Sequence, residues 1–216
     1  KLFSETRHLL EAWDRLKSQV IQTTNETRGL YRIGCHASVA NYSLPLFLPK
    51  LIQEHPSLEI TLEHDLSRHI TQKVLEFQVD VGIVVNPVAH PDLVLKSLAA
   101  DEVTFWQNPK LPNSEVLICD PNLLQVQTLL QKNKRSGLRF SRRIESSNLE
   151  VIASLTASGA GIGILPGRVA QAHGLRLKKV KNAPVFQDQI HLAYRTENRN
   201  VRAIQVISKS IQNAFA

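Results

Sequence analysis

The chain has 216 residues, 43 % hydrophobic and 21 % charged, enough for one large domain or two small ones with a real core. No apolar run reaches the roughly 20 residues of a membrane helix, and two cysteines, Cys35 and Cys119, make no disulfide framework, so a reducing cytoplasm is expected. The net charge of +7 gathers at Lys132, Lys134, Arg135, Arg139, Arg142 and Arg143 and again at Arg176, Lys178, Lys179 and Lys181, with no zinc-ligand or RNA-reading motif beside them, which reads as a solvated basic face rather than a nucleic-acid groove.

A chain that starts on Lys1 and contains no Met reads as a fragment whose natural amino end has been removed, and Lys1–Glu11 lacks the layout of a secretory leader. Residues 1–25 read as one amphipathic helix. Leu2, Leu9, Leu16 and Thr23 recur every seven residues, and Thr6, Trp13 and Val20 follow four residues after the first three. Such a seam can lie on its own core, but Trp13 in the seam and the polar run from Gln22 to Arg28 favour a projecting helix that meets another. The Leu9, Trp13, Leu16 and Val20 face is the candidate dimerisation surface.

From Leu30 the period changes. Leu30–Gly34 reads as a strand, Cys35–Ser38 as a loop, and Leu44 to Ile52 as a helix with Pro45 in its first turn and Pro49 deforming it. Leu58, Ile60 and Leu62 alternate with polar residues, Ile70 to Leu75 is helical, and Val81–Val85 is a fully apolar strand. This β-α-β-α-β order predicts an open parallel sheet with right-handed crossovers.

The second half repeats the grammar. Val116–Cys119 is a strand, Leu123–Lys132 a helix, Phe140–Ile144 a weaker strand, and Leu149–Ala157 a helix that ends near Gly159. Gly161–Pro166 is a strand, and a short helix through Val169 and Ala172 precedes Leu175–Leu177. Ile190–Tyr194 is a strand, and Ile204, Ile207, Ile211 and Phe215 mark a closing amphipathic helix. Two α/β units of about 80 to 100 residues follow, with any ligand expected at the carboxyl ends of the strands or between the units.

Local motifs offer little chemistry. Gly159, Gly161 and Gly163 come between a helix and a strand, the reverse of a phosphate-binding turn, so helix termination and close packing explain them better. His64 and His69 are five apart, which is not metal-ligand spacing on a helix, and no metal or cofactor is expected. Ser146-Ser147-Asn148 lacks the frame of a hydrolase nucleophile and suits a helix cap. Cys35 follows a strand and could become reactive if His36 were protonated, although a small apolar filler is the simpler role. No acid, base and nucleophile set can be assembled, so an enzyme is unsupported.

Three stretches change this picture: Gly29-Leu30-Tyr31-Arg32-Ile33-Gly34, Leu44-Pro45-Leu46-Phe47-Leu48-Pro49 and His55-Pro56-Ser57-Leu58-Glu59-Ile60. With Leu75–Val84 and with Ile144–Ser147 through Ala157–Pro166, they form an ordered set that resembles the effector domain of LysR-type transcription regulators. Gln78 stands where a glycine is common in that family.

The resemblance implies two Rossmann-like subdomains joined by crossover strands, as in periplasmic binding proteins, behind a linker helix. Residues 1–27 would be that helix, 28–104 with 188–216 the first subdomain, and 105–187 the second. The crossings would lie near Val103–Trp106 and Val185–Ile190. By position, the family's effector contacts fall on His36, Ser38, Val39, Val85, Asn86 and Ser147, where His36, Val39 and Val85 depart from the usual hydroxyls. The implied partners are a small polar or anionic effector, a second copy of the chain in a dimer or tetramer, and DNA through a domain preceding Lys1. The rival is a transporter's solute-binding protein, which shares the two-lobed fold but would carry a leader.

Overall fold

A computed structural model describes residues 27–112, 114–133, 138–172 and 176–216. The helix expected to carry Leu9, Trp13, Leu16 and Val20 falls outside these residues. The described chain forms two units. One comprises the residues up to His36 with Ser43–Leu98 and His191–Ala216, the other Ala37–Tyr42 with Ala99–Ile190.

In the first unit, strand β1 (Gly29–Cys35) pairs in parallel with β2 (Leu58–His64) and with β3 (Val81–Val85). Registers Gly29↔Leu58 and Cys35↔Ile83 give the order β2-β1-β3. β3 is buried over its first four residues, as its unbroken apolar run requires. β2 is an edge strand, and Leu62 is exposed. Helix α2 (Ser67–Leu75) lays Ile70 and Val74 against this sheet so closely that a Cβ on Gly34 would stand 2.9 Å from the Ile70 side chain.

Helix α1 (Ala37–Glu54) corrects two expectations. It starts directly after His36, so the loop expected over Cys35–Ser38 shrinks to one residue. Pro45 therefore lies mid-helix with Pro49 rather than in the first turn. The helix survives because Val39, Ala40, Ser43, Leu44, Phe47 and Leu51 form a buried stripe at helical spacing, while both prolines are on the exposed face. Carbonyls deprived of a donor by the prolines can there be hydrated.

Two long strands run through both units. β4 (Leu93–Gln107) starts ten residues ahead of the expected crossing at Val103, and β9 (Phe186–Arg195) spans the expected return and the strand read at Ile190–Tyr194. Tertiary pairing overrides the weak signal of Lys96–Glu102, a stretch with no apolar alternation.

In the second unit, β4 pairs antiparallel with β7 (Ile162–Pro166), and β5 (Val116–Cys119) pairs in parallel with β7 and with β6 (Arg142–Glu145). Helix α3 (Leu124–Asn133) buries Val126 and Leu129, while α4 (Leu149–Ala157) buries Ile152 and Ala153. The α4 exit is a Schellman turn: Gly159 has φ 87°, its amide donates to the Thr156 carbonyl, and that of Ala160 donates to Leu155. Gly163 is needed for packing, since a Cβ there would collide with the buried Thr156 hydroxyl. Both findings agree with termination and packing as the roles of these glycines.

After α5 (Gly167–Gln171), a two-residue strand β8 (Lys178–Lys179) pairs with Trp106 and Gln107, just past the Leu175–Leu177 stretch that the sequence marks. A 3-10 turn (Thr196–Asn200) then leads into the closing helix α6 (Arg202–Phe215), which buries Ile204, Ile207 and Ile211. Among the described residues no helix is long and apolar enough to cross a membrane.

Candidate functional site

The first turn of α1 belongs to the second unit, where it meets the start of α4. Ser38 and Asn41 are three residues apart and so share a helix face. The Ser38 hydroxyl donates to one carboxylate oxygen of Glu150 at 3.0 Å, and the Asn41 amide donates to the other, also at 3.0 Å. Ser38 is buried and Glu150 half-buried. Glu150 is in the first turn of α4, where an acid complements the unpaired amides of its own helix.

These groups edge a pocket of about 150 Å³ whose walls include Tyr42, Ser154 and Val169. The Arg168 guanidinium stands 5.6 Å from the centre of the Tyr42 ring. The Asp101 carboxylate accepts from the Arg168 backbone amide at 3.1 Å. Burial pushes the Asp101 carboxyl above its ordinary range, against the pull of the Arg168 and Glu102 amides. The pocket therefore combines a hydroxyl, an amide and a carboxylate with an aromatic and aliphatic wall.

The six residues marked in the sequence divide between the units. His36, Val85 and Asn86 leave the same sheet edge, because β1 and β3 are parallel neighbours with Cys35 opposite Ile83. Asn86 turns the chain with φ 49°, a conformation asparagine tolerates, and the Val85 amide is tied to the Ser67 hydroxyl at 3.0 Å. Ser38 and Val39 are buried in the first turn of α1 in the second unit. Ser147 is exposed ahead of α4, and Asn148, not Ser147, caps that helix by accepting the Glu150 and Val151 amides.

Sequence reasoning missed Asn41 and Glu150. The first needed the early start of α1. The second had a local signal, an acid just inside a capped helix, but nothing that linked it to Ser38 across 112 residues. The two histidines weighed as metal ligands serve locally: His69 pairs with Asp65 at 2.8 Å, and the His64 ring meets the Cys35 carbonyl at 3.3 Å.

The family model that matches is the LysR substrate binding domain, over residues 24–216. An uncharacterized HTH-type transcriptional regulator of Bacillus subtilis, YusT, is 27 % identical over 162 residues, covering 72 % of this chain and 55 % of YusT. The chain spans about half the length of the curated relatives it matches. The reduced OxyR regulatory domain of Pseudomonas aeruginosa superposes with a TM-score of 0.67 at 20 % identity, covering 88 % of this chain and 98 % of that one. The effector binding domain of a BenM variant gives 0.66 at 18 % identity over 86 % and 94 %. At such identities the structural likeness carries the fold alone. It does establish the periplasmic-binding-protein-like α/β architecture, and the family match favours the regulator over the solute-binding rival.

Proposed function

Because the chain belongs to the LysR substrate binding domain family, we propose that it is the effector-sensing part of a DNA-binding transcription regulator. A small polar molecule would favour one arrangement of the chain and so alter how a preceding DNA-reading domain meets its sites. The reading is regulatory rather than enzymatic and calls for no cofactor or metal. It places the protein in the cytoplasm, as a dimer or tetramer joined through the seam of Leu9, Trp13, Leu16 and Val20.

The observation that carries the family reading is the match over residues 24–216. Its test is a footprint. The whole gene product should protect a defined DNA segment, whereas this chain alone should bind DNA weakly, without sequence preference and only at low salt. A sequence-specific footprint by residues 1–216 alone would overturn the assignment.

The proposed effector contacts are Ser38, Val39 and Ser147, joined now by Asn41 and Glu150, in the second unit, and His36, Val85 and Asn86 in the first. Glu150 bears on the ligand's charge. An anionic effector would have to displace this carboxylate from Ser38 and Asn41, while a ligand that brings donors, such as an amine, amide or polyol, would add to it. In a thermal-shift panel of primary amines, amides and carboxylates, donor-bearing compounds should raise the melting temperature, and Glu150→Gln should cut their affinity about tenfold. Stabilisation by carboxylates alone would reverse the ligand class.

A further inference from the structure

A second concavity, lined by none of the candidate-site residues, lies wholly in the first unit. β4 supplies Val94 and Lys96, two residues apart and so on one face of the strand, and β9 supplies the buried Tyr194. The Lys96 ammonium stands 5.8 Å from the centre of the Tyr194 ring. Arg199 comes from the 3-10 turn, and α6 presents Ser208, one turn after Ile204, and the neighbouring Lys209. Together they enclose about 400 Å³, the size of a small-metabolite site.

Two features point to what it holds. Lys96, Arg199 and Lys209 all line the groove, no carboxylate does, and none of the three has an ion-pair partner among the described residues. The nearby Glu197 is committed to Arg195 at 2.9 Å. Ser208 is 2 % exposed, and among the described residues its hydroxyl is the buried side-chain group with no hydrogen-bond partner. A helical serine ordinarily bonds back to the carbonyl four residues earlier, and a buried hydroxyl left unpaired is costly. An acceptor arriving from the groove would remove that cost.

We propose that this groove binds a small organic anion carrying a carboxylate or phosphate. Lys96, Arg199 and Lys209 neutralise its charge, and the Ser208 hydroxyl donates to one of its oxygens. Three cations converging on one groove of this volume suit a small anion, whose charge they can surround. The proposal rests on the groove alone and stands whatever the effector of the other site.

Citrate and inorganic phosphate, titrated separately into the isotope-labelled chain, test it by amide chemical shifts. Saturable shifts are expected in Thr196–Asn200 and Gln205–Gln212. The double variant Lys96→Gln, Lys209→Gln should weaken binding about tenfold, and Ser208→Ala about threefold with the spectrum otherwise preserved. No saturable shift at millimolar anion, shifts that map elsewhere, or affinities unmoved by both variants would overturn the proposal. So would displacement of citrate by duplex DNA in preference to phosphate.

Discussion

Trp106→Ala should lower the unfolding free energy of the second unit by about 3–5 kcal/mol, the range for deleting a buried aromatic side chain. Trp106 is 3 % exposed and packs with Ile118, Leu149, Ile152, Leu165 and Val169. It lies opposite Gly163 in the β4–β7 ladder. Its Nε1 donates to the Leu165 carbonyl at 2.9 Å, so alanine removes both a large apolar surface and a buried donor. Trp106→Phe separates the two effects: it keeps most of the apolar area and loses the donor, which should cost about 1–2 kcal/mol. Urea unfolding followed by circular dichroism measures both variants. Equal losses from Ala and Phe would mean that the hydrogen bond, and not the packing, anchors this strand. The consequence reaches the candidate site, because Val169, which touches the same cluster, is also a wall of the Ser38–Glu150 pocket.

The sequence exposes those elements whose own pattern suffices. Val81–Val85 is a strand because five apolar residues in a row leave no polar face, and α6 is legible from Ile204, Ile207 and Ile211 at helical spacing. The α4–β7 passage is legible through Gly159, whose positive φ ends the helix where the glycines begin. Ala37–Tyr42 fails this test. Its residues are small and mixed, the prolines downstream argue for a later helix start, and only burial of Val39 and Ala40 settles the matter. The first half of β4 is equally silent, since Lys96 to Glu102 carries three charges and gains its conformation from neighbouring strands. The site inherits both gaps. Ser38 could be singled out by resemblance, but its partner Glu150 is fixed by the fold of α1 against α4, which no spacing encodes.

Neither cysteine should react in the folded protein. Cys35 and Cys119 are both fully buried, and burial pushes their thiols from the ordinary 9.0 up to about 12 and about 11. For Cys35 burial is the whole cause, so His36 beside it does not activate the thiol as adjacency in sequence had suggested. A rise of about three pH units leaves about a thousandfold less thiolate at mildly alkaline pH, and the thiolate is the reacting form. One structural neighbour is described in a reduced form, but a thiol switch here would need an exposed cysteine of lowered pKa, the opposite of this environment. Ellman's reagent at mildly alkaline pH should therefore titrate no thiol in the native chain and both after guanidinium unfolding. The same burial predicts an alkaline limit. A thiol with a raised folded pKa contributes stability that is fully present below about 9 and lost as pH climbs towards about 12, because the unfolded chain ionises first. Cys35→Ala should flatten that alkaline decline. Rapid labelling of Cys35 in the native state, or a decline unchanged in the variant, would show that β1 opens readily and that the thiol is available for chemistry after all.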